Sequence, residues 1–512
     1  MFSVYQDDPY LSAGIDQSGH RRCRVWRLHQ GRPDPLRLPI MKIPSMFSLT
    51  IDGHGVATSD YLPVLNPATR QPIGQCPVAS EENVEQAVAA AGDAFAVWRQ
   101  VPYGKRCEQL QALAGILEAN MDELAQLLTR EQGKPLAEAR GELAGAIAFC
   151  QCAGSLPLPE VVHEQSATRL SKTVREPLGV VVAIVPWNYP ISIAFVKLTA
   201  ALAAGNTLIL KPAPTTPLTT LRIGELIRDA LPAGVINVLA GNDDLGPWLT
   251  GHADVAKISF TGSSVTGRHV ARSAAADLKR LTLELGGNDA AVVMADSLSD
   301  AVVERVFWSA FTNAGQICMA TKRLYIHESI YEAFRDKLVA YAQNVVIGDG
   351  SQPGVTMGPL QNAKQFAKVM SLIDAVRQRG GRLIECGQMR GGDGYFLPIT
   401  FVDLPDESAP EVVEEAFGPL LPLLKFSGID EVIERVNASP YGLAGSVWSR
   451  DREVGARVAA AIDSGSVWVN DWLAITPSTP FGGMKASGYG AESGLEGLLE
   501  FTTQKTVIIQ QQ

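Results

Sequence analysis

The chain has 512 residues, too many for a single hydrophobic core, so two or three domains are expected. Its 46% apolar and 19% charged residues are an ordinary globular balance, and a net charge of -10 argues against a nucleic-acid binder. No window approaches the roughly 18 uninterrupted apolar residues that a membrane helix needs.

Residues 1–45 differ from the rest. The basic run Arg21-Arg22-Cys23-Arg24-Val25-Trp26-Arg27 is followed by Pro33, Pro35, Pro39 and Pro44 rather than by the apolar stretch of a secretory signal. Asp7, Asp8 and Asp16 run against a transit peptide. The segment reads as a poorly ordered extension, or as residues upstream of a start at Met41 or Met46. From Glu81, the positions Val84, Ala87, Val88, Ala91, Phe95 and Trp98 recur at helical steps, and a second helical pattern covers 103–130. The texture changes after Thr173. Residues 180–185 form a continuous apolar run, as expected of a buried parallel strand, and 207–210, 235–239, 258–260 and 281–285 repeat it. Helical patterns at 218–231 and 264–278 separate these runs, which predicts a doubly wound parallel α/β sheet. A second α/β set follows Gly287, with strands near 290–293, 323–326, 445–448 and 466–470.

Ligands of such sheets bind beyond the carboxyl ends of the strands. Asn188, Lys211, Gly262-Ser263 and Glu284 occupy those positions. The cysteines (Cys23, Cys76, Cys107, Cys150, Cys152, Cys318 and Cys386) are odd in number and irregularly spaced, with no CxxC pair. That fits neither a disulfide framework nor a zinc site, and a reducing, cytoplasmic setting with no metal is expected.

Read in order, Pro186-Trp187-Asn188, Lys211-Pro212-Ala213, Phe260-Thr261-Gly262-Ser263, Leu283-Glu284-Leu285-Gly286-Gly287, Asn313-Ala314-Gly315-Gln316-Ile317-Cys318, Glu415-Ala416-Phe417-Gly418-Pro419 and Pro480-Phe481-Gly482-Gly483 resemble the aldehyde dehydrogenase superfamily from about residue 47 onward. The resemblance implies oxidation of an aldehyde to an acid with NAD, or NADP. Cys318 would be the nucleophile, although an arbitrary cysteine is more often a small buried hydrophobe. Asn188 and the Cys318 backbone N–H would face the oxyanion of the thiohemiacetal, the bland alternative for Asn188 being a strand-end turn. Glu284 would be the base that hydrolyses the thioester. Its place in an apolar strand suits a raised pKa, and the alternative is a buried salt bridge with Lys197, itself carried as a catalytic position.

For the cofactor, no GxGxxG follows the first strand. Gly262-Ser263, with Gly267 after it, opens a helix whose start can hold a pyrophosphate. Lys211 is similar to the family lysine on the adenosine ribose, and Glu415 to the carboxylate on the nicotinamide ribose, with Phe417 near the ring. As an alternative, Glu415 is a solvated loop acid. Pro186, Trp187, Gly241 and Leu285 complete the expected cofactor contacts. Pro214 stands where many NAD-preferring members carry a glutamate, so NADP can be tolerated. Asn288-Asp289 replaces a common lysine, with no consequence assigned. Tyr189, Val196, Ile317, Met319, Trp472 and Ile475 flank the motifs as an apolar pocket for a hydrophobic or aromatic aldehyde, or as ordinary packing.

The expected domains are a dinucleotide-binding unit (46–165 and 178–286), a catalytic unit (287–484) and oligomerisation strands (166–177 and 485–512). The strand-like ends at 168–175 and 505–509 predict a homodimer or homotetramer. Two rivals remain open: a CoA-acylating or phosphorylating relative, and an idle scaffold of the same fold. A cysteine hydrolase working without nicotinamide is a third.

Overall fold

The computed structural model describes residues 46–511, so the extension expected over 1–45 lies outside the described residues. The first sheet has eight strands. Ile236–Val238, Thr207–Lys211, Val180–Ile184, Val255–Thr261 and Arg280–Glu284 run parallel in that spatial order. Short antiparallel strands close its two sides, Leu49–Ile51 with His54–Val56 at one and Gly488–Tyr489 at the other. The parallel register sets Ile184 opposite both Lys211 and Phe260, and Thr261 opposite Glu284. The strands therefore end together, and the polar residues just past their apolar runs share one edge. Fully buried strands such as Val180–Ile184 explain the unbroken apolar runs, because helices cover both faces.

The second sheet has seven strands, in the order Arg382–Cys386, Ile399–Asp403, Leu420–Phe426, Thr321–His327, Asp289–Val293, Ala444–Trp448 and Ser466–Val469; only the first is antiparallel to its neighbour. Four residues, Leu285 to Asn288, carry the chain from the end of Arg280–Glu284 to the start of Asp289–Val293. The carboxyl edge of the first sheet thus faces the amino edge of the second. A doubly wound parallel sheet and a second α/β layer are present as expected.

The third sheet pairs Thr502–Gln510 with Arg169–Pro177 along nine residues, and Arg169–Pro177 with Val161–Gln165. This sheet begins at Val161, ahead of the expected 166, and Gly488–Tyr489 belongs to the first sheet rather than to it.

The helix Glu81–Trp98 starts at Ser80, whose Oγ accepts from the Asn83 N–H at 3.2 Å, and buries Val84, Ala87, Val88, Ala91 and Trp98. The single helix expected over 103–130 is two, Tyr103–Ala119 and Met121–Gln132. Between them the Asn120 amide donates to the Ile116 carbonyl at 2.8 Å, taking an acceptor that helix continuation would use. Leu218–Ile227 and Ser264–Ala275 are shorter than expected. The first approaches Pro232, and the second gives way to Leu278 at φ 54°.

Candidate active site

The loop that carries Cys318 follows the helix Asp300–Phe311. Within Thr312–Gly315, three successive residues, Asn313, Ala314 and Gly315, have φ of 52°, 55° and 75°. This left-handed run is strained for Asn and Ala. It is held by the Asn313 N–H donating to the Glu138 carboxylate (3.1 Å), the Asn313 amide donating to the Asn188 carbonyl (3.2 Å), and the Gln361 N–H donating to the Gln316 side-chain oxygen (2.8 Å). A Cβ on Gly315 would lie 2.4 Å from the Gly418 carbonyl oxygen, so only glycine lets this loop press against the one that carries Glu415 and Phe417. Cys318 comes next, partly exposed between buried Ile317 and Met319.

Asn188 sits past the strand Val180–Ile184 and is buried. Its amide nitrogen donates to the Gln316 carbonyl at 2.9 Å, which brings it onto the Cys318 loop. Its own carbonyl accepts from Lys134 at 2.9 Å. Lys134 is fully buried, paired with Glu142 at 2.5 Å, and stands 3.6 Å over the Tyr189 ring. Glu142 in turn accepts from the Ile191 and Ser192 N–H groups at 2.8 and 3.2 Å, at the start of the helix Pro190–Ala204. A carboxylate there satisfies orphan donors and meets the positive end of the helix dipole.

Glu284 ends the strand Arg280–Glu284, 4% exposed, and neither carboxyl oxygen has a hydrogen-bond partner among the described residues. Burial holds its carboxyl well above the usual range; Glu492 pushes the same way and Lys197 against it. The salt bridge weighed for Glu284 with Lys197 is not formed. Lys197, fully buried, is bonded instead to the Glu492 carboxylate and, at 2.9 Å, to the Ser259 hydroxyl. Lys197 therefore reaches Glu284 through its field and not as a contact. A buried carboxyl without partners is costly, about 1–3 kcal/mol, unless it serves a reaction.

Burial pushes the Cys318 thiol up to about 12. Lys322 pulls it down, while Asp289, Glu415 and Glu284 push it further up. The Asn188 amide thus meets the Cys318 loop at Gln316, and Glu284 acts electrostatically on the sulfur. Cys318 lies before the strand Thr321–His327, at the amino edge of the second sheet, and not past a strand end like the others.

The helix Ser264–Ala275 opens on half-buried Gly262 and exposed Ser263, whose Oγ accepts from the Thr266 N–H at 3.1 Å. A Cβ on Gly267 would come 2.4 Å from Leu285, so glycine seats this helix close against the strand end. The buried Thr261 hydroxyl beside the turn has no partner among the described residues. Lys211 is buried at its strand end, its pKa lowered by that burial. Gly241 is buried and Pro214 half-buried. Glu415 accepts from the Gly287 N–H at 3.1 Å, so it is not a free loop acid. Phe417, at φ 53°, meets the Trp187 ring edge to face at 5.3 Å, beside half-buried Pro186. An unpartnered hydroxyl, a buried cation and a helix start along one edge suit a dinucleotide. Lys211, Thr261, the 262–264 backbone and Glu415 could hold it.

Around Cys318, Tyr189, Ile317, Met319, Trp472 and Ile475 pack in one apolar cluster. Val196 is half-buried outside it, and Ile193, Leu443, Trp468, Leu473 and Phe481 are the lining that sequence reasoning missed. Lys134, Glu138, Glu142, Glu492 and Lys322 were missed as well. The Gly133-Lys134-Pro135 turn is the one local signal among them.

Residues 56–507 match the family model described as "Aldehyde dehydrogenase family". A "Probable aldehyde dehydrogenase" of a Pseudomonas species is 84% identical over 484 residues, 94% of this chain and 98% of that protein. A "Phenylacetaldehyde dehydrogenase" of Pseudomonas fluorescens is 38% identical over 499 residues, covering 93% and 97%. Among solved structures, the NAD+ complex of betaine aldehyde dehydrogenase from Staphylococcus aureus superposes with a TM-score of 0.87 at 32% identity, over 91% of this chain and 94% of that one.

Proposed function

The chain belongs to the aldehyde dehydrogenase family, and on that premise we propose that Cys318, Asn188 and Glu284 carry out its NAD(P)-dependent oxidation of an aldehyde to a carboxylic acid. What supports this reading is the Asn188 amide bonded to the Cys318 loop, together with Glu284, buried and unpartnered among the described residues, acting electrostatically on the sulfur.

In this reading the Cys318 thiol gives up its proton to water and the sulfur attacks the aldehyde carbon. The Asn188 amide and the Cys318 N–H hold the resulting oxyanion, a contribution of about 3–4 kcal/mol per donor where such holes have been dissected. A nicotinamide held by Glu415 and the 262–264 backbone would supply the acceptor for the hydride of the substrate carbon. Glu284 then removes a proton from water as it attacks the thioester. Its position buried beside Cys318 supports hydrolysis over transfer to CoA or phosphate, neither of which needs that base. Lys197 is a positioning residue here, held by Glu492 and acting on Glu284 through its field. Loss of all cofactor reduction in Cys318→Ala is the test, argued below.

The aromatic and aliphatic cluster around Cys318 supports an apolar or aromatic aldehyde as substrate. Pro214 supports use of both NAD and NADP. Pro214→Glu is expected to favour NAD by about tenfold in kcat/KM ratio, since a charged acceptor is worth roughly 1.5–3 kcal/mol to a hydroxyl and repels a 2′-phosphate. Unchanged kinetics with both cofactors would remove that role.

A dinucleotide-binding unit around the first sheet and a catalytic unit around the second are part of the same reading. The chain is also read as a homodimer or homotetramer built through the three-stranded sheet. Exposed Val161, Val162, Ile508 and Ile509 on its outer strands support this. Sedimentation velocity should give two or four chain masses, and a monomer would count against it. No helix among the described residues is long and apolar enough to cross a membrane. The free thiols Cys76, Cys107, Cys150, Cys318 and Cys386 support a cytoplasmic setting, while Cys152, which is disulfide-bonded, runs against the expected absence of disulfides.

A further inference from the structure

Behind the nucleophile loop lies a buried cation that the mechanism above leaves unused. Lys322, 5% exposed at its side chain, donates to the carbonyls of Ile317 (2.9 Å), Cys318 (2.5 Å) and Ala320 (3.3 Å), and stands 3.6 Å from the Glu415 carboxylate. All three carbonyls belong to the turn that presents the sulfur. The same Glu415 oxygen accepts from the Gly287 N–H. Close to Gly287 is Asp289, 4% exposed, with one carboxyl oxygen that has no partner among the described residues. A Cβ on Gly287 would lie 2.7 Å from both the Asp289 side chain and the Cys318 carbonyl, so both groups crowd against this glycine.

We propose that Lys322 is a positioning residue that locks the loop bearing Cys318 onto the Glu415 carboxylate and brings a buried positive charge to bear on the sulfur. The inference rests on Cys318 being the nucleophile. The chemistry favours a charged amine here: an ammonium has three donors and no acceptor, which matches a turn offering three carbonyls. Buried without neutralisation it would be costly, and the Glu415 carboxylate at 3.6 Å supplies the opposite charge, with Asp289 interacting electrostatically from further off. The charged groups facing the sulfur are then Lys322, Asp289, Glu415 and Glu284, with the Tyr189 phenol also within its field. Lys322 is the one cation among those that act on the thiol, and Asp289 is held up to about 7 by burial despite it. Because Glu415 is also the expected anchor of the nicotinamide ribose, a sugar engaging that carboxylate pulls on the same lysine that holds the sulfur.

The test is the pH profile of Cys318 alkylation by iodoacetamide in the full-length, cofactor-free enzyme, read on the Cys318 peptide by mass spectrometry. Lys322→Gln keeps donors and removes the charge. Its alkylation midpoint should move up by about one pH unit, which is about tenfold slower labelling on the rising limb. Lys322→Arg should restore most of the wild-type profile. In steady state, Lys322→Gln should lower kcat and raise the KM for NAD together, because one lysine serves both loops. If Lys322→Gln does not yield folded protein, Asp289→Asn reads the same field with opposite sign, and its midpoint should fall. A wild-type profile in whichever of these variants is folded overturns the proposal. Full activity in Cys318→Ala would instead overturn the reading of the site on which it rests.

Discussion

Cys318→Ala is expected to lower aldehyde-dependent reduction of NAD by at least about 10⁴-fold, the scale on which loss of a covalent nucleophile is felt. Such a drop is about 5 kcal/mol of transition-state stabilisation. The alanine fits the space, since it removes one sulfur from a partly exposed position without disturbing Ile317 or Met319, whose burial sets the turn. Folding and cofactor binding should therefore survive, and a thermal melt in the presence of NAD separates lost chemistry from lost structure. The other free thiols cannot take over: Cys76, Cys107, Cys150 and Cys386 are all buried.

Glu284→Gln is expected to act on the other half of the reaction. Reduced cofactor should appear in a rapid burst of one equivalent per site, followed by a steady rate roughly 10²–10⁴-fold below wild type, the usual worth of a general base. The pH dependence carries the same signature. Burial holds the Glu284 carboxyl well above its ordinary range, so the protonated form, which cannot accept from water, persists to higher pH than in a free carboxyl. The wild-type steady rate should accordingly rise with pH, and the glutamine variant should lose that limb. Stability moves the opposite way. A carboxyl whose folded pKa is raised binds more protons folded than unfolded, so its contribution is fully present below the ordinary value of 4.5 and is lost as pH rises through the folded value. Glu284→Gln should raise the melting temperature at pH 8, with the gain shrinking as pH falls.

The first sheet was legible because each buried strand is a continuous apolar run, and Asn188, Lys211, Gly262 and Glu284 all appear where such a run stops. Cys318 was legible by motif, yet its placement differs from theirs, since it precedes a strand of the second sheet. The supporting charges were not legible. Lys134, Glu138 and Glu142 lie at the start of or along a helix whose pattern is ordinary, and their partners Asn188, Ile191 and Asn313 are remote in sequence. Lys197 has the Glu284 carboxyl within its field, but the one it pairs with, Glu492, comes from a segment near the end of the chain. Strand propensity says nothing about such pairings, which follow from how the two sheets meet. The break at Asn120 was missed for a local reason, an amide competing for a helix carbonyl inside an unbroken apolar pattern.

The most direct measurement combines the two halves of the mechanism. Glu284→Gln is mixed with NAD and an aromatic aldehyde, quenched in acid within the burst, digested and weighed. The peptide containing Cys318 should carry the mass of the acyl group, at close to one per chain. An unmodified Cys318 peptide after a full burst, or the acyl group on any other residue, would contradict the account.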